Sequence, residues 1–225
     1  MLEKSLIKSW NAWSPALDTS EKWQRWIKDS VKDPFEIFDE ALLTGPSVSF
    51  LPASMKKKLS PLSKVSLYLM NEILLASEQR EKIRIIMSSR FGEAKNTVEL
   101  LHSIGKNEPS SPMAFSRSVH NSSIGIFSIF AGNKSPATAI SAMNNSFGAG
   151  LLESLIQLYG NEDVNEVLYV FSDEKIPLEF TPFVQDPPVP YGVAFIFAKT
   201  TDIDLNSIYK SFWDVSCLEF LKVCC

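Results

Sequence analysis

Short apolar runs set among helical patterns constrain this chain more than any other feature. KIRIIMS at 82–88, EVLYVFS at 166–172 and YGVAFIFAK at 191–199 are rich in Ile, Val and Phe. Each has the length of a strand and a largely apolar run, which suits a strand buried in a sheet. Between them the period changes to that of a helix. Asp18 to Ser20 supply capping oxygens ahead of Trp23, Trp26 and Ile27, spaced i, i+3, i+4. Ser60 and Pro61 read as the cap and first residue of a helix that runs to about Ala76, with Leu62, Val65, Leu69 and Ile73 on one face. A helix after Gly92 carries Val98, Leu100 and Leu101 to Ile104. Ala114 to Ala131 is predicted to be one long buried helix whose small residues let another backbone approach. Residues 137–143 form a short strand, and Ser146 to Tyr159 a helix. Residues 5–13 alternate loosely and suit an edge strand, 31–50 and the Pro-rich 173–190 read as irregular, and a short helix begins near Leu205. Strands alternating with helices imply an α/β fold with a mostly parallel, buried mixed sheet packed by helices.

With 225 residues, 45% of them hydrophobic, residues 1–225 make one domain. The net charge of −4 gives no general attraction to nucleic acid or anionic lipid, so neither is expected as a partner. Lys56-Lys57-Lys58 is the only basic run, a solvated helix face or a docking patch for an acidic protein. No stretch approaches the ~18–20 apolar residues of a membrane span. The opening MLEKSLIKSWNAW is charged where a signal peptide is apolar, so a cytoplasmic protein is expected. The cysteines, Cys217, Cys224 and Cys225, cluster near a frayed end and give neither a disulfide framework nor CxxC spacing. No metal and no cofactor is expected.

Two histidines are available as bases. His102 reads as a surface residue on a helix. His120 falls in Ser116-Arg117-Ser118-Val119-His120-Asn121, where Arg117, His120 and Asn121 read as a structural polar cluster. No GxSxG, P-loop, HExxH or GxGxxG pattern occurs. Residue chemistry alone therefore stops at an α/β domain without visible catalytic machinery.

The segment Ser111–Gly150, SPMAFSRSVHNSSIGIFSIFAGNKSPATAISAMNNSFGAG, adds a resemblance. It resembles the N-terminal half of β-ketoacyl synthases of the thiolase fold: an SP-containing loop, a helix, a turn matched by Ala131–Pro136, a short strand and the turn that opens the nucleophile helix. IKSWNAWSP, FLPASMKKKLSPLSK and FSDEKIP are similar to the ketosynthase-like chain-length factors of bacterial aryl polyene clusters. The likeness spans roughly residues 5–200, and 205–225 has no counterpart. It implies an incomplete thiolase-like fold, in essence the N-terminal half of a ketosynthase.

The departures carry the functional expectation. Family enzymes place a Cys in the nucleophile turn, where the helix N-terminus lowers its pKa. Here the turn is Met143-Asn144-Asn145-Ser146, with Asn144 at the Cys position and Ser146 read as a helix N-cap. The decarboxylation histidines of the family come from its second half, which a 225-residue chain does not reach. The resemblance thus implies a subunit silent on its own. It would pair with a full-length, Cys-containing ketosynthase through the strand Ala137, Thr138, Ala139, Ile140, Ser141, Ala142 and Met143, and would meet an acyl carrier protein in that complex. Arg90, Phe91, Met113, Ala114 and Phe115 are the candidates for lining or gating the partner's acyl tunnel. The alternatives are a purely structural stabiliser of the partner and an independent acyltransferase using Ser146 with His120.

Overall fold

A strand forms where every second side chain enters one apolar layer, and the core strands here do so on both faces. In the computed structural model, which describes residues 6–29, 34–35, 43–57, 59–75, 77–109, 111–184, 188–201 and 210–225, five strands make one sheet. They are β1 (Ile7–Trp13), β2 (Arg84–Ser88), β3 (Ala137–Ile140), β4 (Glu166–Asp173) and β5 (Tyr191–Ala198), in the order β1-β5-β4-β2-β3. β3, β2 and β4 are parallel neighbours; β4–β5 and β5–β1 pair antiparallel. The sheet is therefore mixed, with its parallel part at the β3 side and β1 at the other edge, as the N-terminal alternation predicts.

Two apolar layers follow from the period of two. Val167, Tyr169 and Phe171 of β4 join Phe195 and Phe197 of β5 on one face, while Leu168, Val170, Ala194 and Ile196 face the other. Tyr169 stands opposite Phe195, and the Phe195 and Phe197 rings stack 5.5 Å apart at 9°. On the second face the packing helix is α3 (Pro61–Ile73), as its Ser60 cap and Pro61 predict: Ser60 Oγ accepts from Ser63 N–H at 2.9 Å. On the first face lie α1 (Ser20–Asp29), α7 (Ser146–Tyr159) and α8 (Cys217–Cys224).

The remaining helices are α2 (Ala53–Lys56), α4 (Ala94–Gly105), α5 (Pro112–Ser116) and α6 (Ser122–Ala131). The expected single helix over Ala114–Ala131 is thus two helices with a turn at 117–121. The polar run Arg117–Asn121 offers no apolar face to bury, and α5 already ends at Ser116. Nor is α6 buried all round. Ser123, Ile124 and Phe127 enter the core, whereas Gly125 and Ile129 are exposed, so Gly125 receives no second backbone. The strand expected over 137–143 stops at Ile140, because the following residues turn. The helix expected near Leu205 falls outside the described residues.

The C-terminal cysteines are not on a frayed end. Ser216 caps α8 in a capping box with Glu219. Cys217 and Cys224, seven residues apart, share its buried face with Phe220 and Leu221. Two such fully buried apolar side chains contribute about 2–3 kcal/mol each.

Candidate functional site

The carboxyl ends of parallel strands release the chain into loops, and there the side chains of neighbouring strands can meet. Here β2 runs into Ser89 and Arg90, β3 into Ser141, and β4 ends on Asp173. Asp173 is buried. Its carboxylate accepts from the Arg90 side chain, from the Arg90 backbone N–H at 2.9 Å and from Ser89 Oγ at 2.9 Å. Ser141 Oγ donates to the Arg90 carbonyl at 2.7 Å, so the loop after β2 is fixed from both sides. Burial pushes the Asp173 carboxyl up, and the adjacent Arg90 pulls it back. Burial works against the Arg90 charge as well, but Asp173 and Tyr191 outweigh it. An ion pair so enclosed is costly to break from one side, because the survivor is a buried lone charge.

Beside this pair is the turn from β3 to α7. Met143 has φ of +51°, in the left-handed region that costs a side-chain-bearing residue about 1–2 kcal/mol. Ser146 secures the turn: the Ala142 N–H donates to Ser146 Oγ at 2.9 Å, and that hydroxyl donates to the Met143 carbonyl at 2.7 Å. Ser146 is therefore the first residue of α7 and not its N-cap, the expected role. Asn145 holds the cap position and sends its amide outward, donating to Asp214 Oδ1 at 2.6 Å. Asn144 is exposed on the wall of a cavity of about 300 Å³, whose lining includes Arg90, Phe147, Phe171, Tyr191 and Cys217. Burial pushes the Cys217 thiol far up, so it stays neutral.

His120 Nε2 lies 3.0 Å from the Ile140 carbonyl, and burial holds the ring below its usual pKa. Its other side packs on Gly92, where φ is +57° and an added Cβ would come within 2.4 Å of His120 Nδ1. His120 thus braces the loop after β2 against the end of β3. Ser146 and His120 bond to separate carbonyls and do not form a pair. Of Arg117, His120 and Asn121, the first two bond to different carbonyls. Arg117 donates to the Met55 carbonyl at 3.2 Å, whereas Asn121 is exposed ahead of α6.

The five tunnel candidates reach different places. Arg90 is on the cavity at the turn. Phe91 lines an apolar groove of about 230 Å³ between α4 and residues 176–184. Ala114 borders a third cleft, with Leu59 and Lys95. Met113 and Phe115 are exposed on α5. Of the expected pairing segment, Ala137, Thr138, Ala139 and Ile140 form the edge strand. Ser141, Ala142 and Met143 belong to the turn. His102 is exposed on α4, 3.3 Å from Glu179 Oε1. Lys56 and Lys57 are exposed, and Lys58 lies outside the described residues.

Sequence reading missed the buried carboxylates. Glu174 accepts from the N–H groups of Leu62 and Lys95, each at 3.3 Å, at the starts of α3 and α4. Glu93 accepts from Ser63 Oγ and from Asn96 Nδ2 at 2.8 Å. Burial raises both carboxyls, and for Glu174 burial, with a smaller contribution from Glu93, takes it to about 7. The available signal was the Asp173-Glu174 pair directly after an apolar strand. Among the described residues no three His, Cys, Asp or Glu side chains are placed to hold a metal ion.

No curated protein matches the chain by sequence. Among solved structures, it is similar to a ketosynthase (ApeO) in complex with its chain length factor (ApeC) from Xenorhabdus doucetiae. The TM-score is 0.73 at 23% identity, over 92% of this chain and 90% of that one. A β-ketoacyl synthase from Burkholderia phymatum STM815 matches with a TM-score of 0.62 at 10% identity, over 87% of this chain and 59% of that one. The ishigamide ketosynthase/chain length factor matches with a TM-score of 0.55 at 13% identity, over 85% and 58%. At these identities the likeness establishes a shared fold, and this chain spans under two thirds of the last two. Residues 23–214 match the family model of the β-ketoacyl synthase N-terminal domain, and the chain belongs to that family.

Proposed function

We propose that the chain is a non-catalytic chain-length factor. It pairs with a Cys-containing ketosynthase and helps to shape the tunnel in which an acyl chain grows on its carrier protein, in synthesis of the aryl polyene type. The observation that carries this reading is the turn between β3 and α7. At the place where the family keeps its thiol, Asn144 presents an amide, which accepts no acyl group. The hydroxyl within the turn itself, Ser146, is buried and already bonded on both sides. A helix N-terminus that would activate a thiol is present, but there is no thiol in the turn for it to act on. Two of the matched structures are described as a ketosynthase with a chain length factor, which supports the same reading.

The test is reconstitution with a full-length ketosynthase and acyl carrier protein. The two chains are expected to co-purify. Mass spectrometry should find no acyl group on this chain after incubation with an acyl-carrier thioester. Asn144→Ala should leave elongation intact, and its loss with assembly preserved would overturn the claim of silence. Phe91→Ala and Phe115→Ala separate the main reading from its rival. A shift toward longer products supports a chain-length factor. An unchanged distribution supports a stabiliser, which the scatter of the tunnel candidates over separate surfaces favours.

A further inference from the structure

The cleft at the starts of α3 and α4 shares no lining residue with the cavity at Asn144. It measures about 240 Å³, and Ser60, Pro61, Lys95, Asn96, Glu99 and Arg117 are on its walls. Its shape is set before any guest arrives. Asn96 Nδ2 donates to Glu93 Oε2 at 2.8 Å and to the Arg117 carbonyl at 3.1 Å, which ties α4 to the turn that carries Arg117.

Its positive charges are only partly matched. Arg117 Nη2 donates to the Met55 carbonyl at 3.2 Å, while Nη1 is buried with no acceptor, which is costly for a charged donor. Lys64, one turn along α3 from Pro61, sits close enough to Lys95 to feel it: burial, and then repulsion from Lys95, lowers the Lys64 ammonium. The stem of Lys64 is held against Gly45, where a Cβ would come within 3.0 Å of its own. Among the described residues none of Lys64, Lys95 and Arg117 forms an ion pair. The acids nearby offset them in part. Burial raises the carboxyls of Glu93 and Glu174, and Glu99 is exposed on the rim, where solvent screens it.

We propose that this cleft binds a phosphate dianion, free or carried by a small molecule, between the guanidinium of Arg117 and the ammonium of Lys95, with Lys64 adding to the field. A guanidinium meets phosphate oxygens two at a time, and an ammonium meets them as a point charge. The starts of α3 and α4 turn the positive ends of their dipoles to the same place. The volume is small for a ligand pocket and suits a phosphate with a short organic group. The site uses no residue of the turn at Asn144, so it stands or falls separately from the chain-length reading.

The experiment titrates the full chain with inorganic phosphate, methyl phosphate and nitrate at constant ionic strength, near pH ~7.5 where phosphate is largely dianionic. Calorimetry and phosphorus NMR read it. Phosphate is expected to bind saturably, with a dissociation constant on the order of 1 mM. Methyl phosphate binding more tightly supports a carried phosphate, and equal binding supports the free ion. Nitrate, a singly charged ion, should bind at least about tenfold more weakly. Lys95→Met, at an exposed position, should weaken phosphate about fivefold or more. Glu99→Gln, which removes the acid on the rim, should tighten it about twofold. Lys106→Met takes the same charge from the far end of α4, outside the cleft, and should leave binding unchanged. Arg117→Gln should abolish saturable binding, and if it fails to fold, Lys95→Met and Lys106→Met decide. The proposal is overturned by phosphate binding that is absent, that nitrate equals, that Lys95→Met leaves unchanged, or that Lys106→Met weakens as much as Lys95→Met does.

Discussion

Glu174 shows how much one side chain can hold together and what it costs. Its carboxylate accepts from the first turns of α3 and α4, so it ties the end of β4 to both helices. Burial and the neighbouring Glu93 nevertheless raise its pKa from 4.5 to about 7. A carboxyl raised on folding binds more protons in the native state than in the unfolded state. Between pH 4.5 and about 7, stability therefore falls as pH rises, and the cost is complete above pH 7. A shift of this size corresponds to about 3 kcal/mol. Glu174→Gln removes the charge and keeps one acceptor for the helix N–H groups. It should raise stability by about 1–3 kcal/mol at pH 8 and change it little at pH 4.5. Urea denaturation at the two pH values reads this, and an equal effect at both would disprove the account.

Among the elements, α7 is the most constrained, lying between the sheet and the C-terminal segment. At Gly148 an added Cβ would approach the Trp213 carbonyl to 2.3 Å, and backbone cannot swing aside as a side-chain tip can. Gly148→Ala should destabilise the chain by about 1–3 kcal/mol through overpacking. It should also speed hydrogen exchange in α8, whose approach to the sheet face it obstructs. Slower or unchanged exchange in α8 would separate the two elements. How much of this was legible in the sequence varies with the element. The span of α7 and the core of β2, β4 and β5 read directly, because each has one strong period. Ala114–Ala131 did not, because serines and glycines carry no clear period through the break at 117–121. Strand direction was equally hidden: alternation is the same in either sense, and nothing local marks β5 as antiparallel. At the site, Asn144 and the bracing His120 could be picked out by residue type. Asp173 stood out only as one of two adjacent acids at the end of an apolar run, and its pairing could not be read because Arg90 is 83 positions away.

The molecule as a whole leaves two sheet edges, β1 and β3, without a strand neighbour among the described residues, and the β3 edge is the parallel one. β3 ends the sheet, and its pairing with β2 fixes which of its groups point outward. Ile85 N–H donates to the Pro136 carbonyl and Ser89 N–H to that of Ile140, each at 3.2 Å. The ladder thus uses the even-numbered residues, and with a period of two Ala137 and Ala139 turn their N–H and C=O groups away from β2. Such an edge invites another strand, and only small side chains, Ala137, Thr138 and Ala139, stand in its way. The proposed ketosynthase partner would pair here. Ala139→Pro tests this with little damage to the fold, because proline is tolerated on an edge strand where its missing N–H faces outward. The variant should keep the parent's circular dichroism spectrum and lie within about 1 kcal/mol of its stability. It should lose at least about tenfold in affinity for the ketosynthase, as a severed ladder bond and a blocked approach require. Thr138→Val, whose backbone groups face β2, serves as the control and should bind normally. Full affinity in Ala139→Pro would move the interface away from β3, and loss of fold in both variants would show that β3 is needed by this chain before it is needed by any partner.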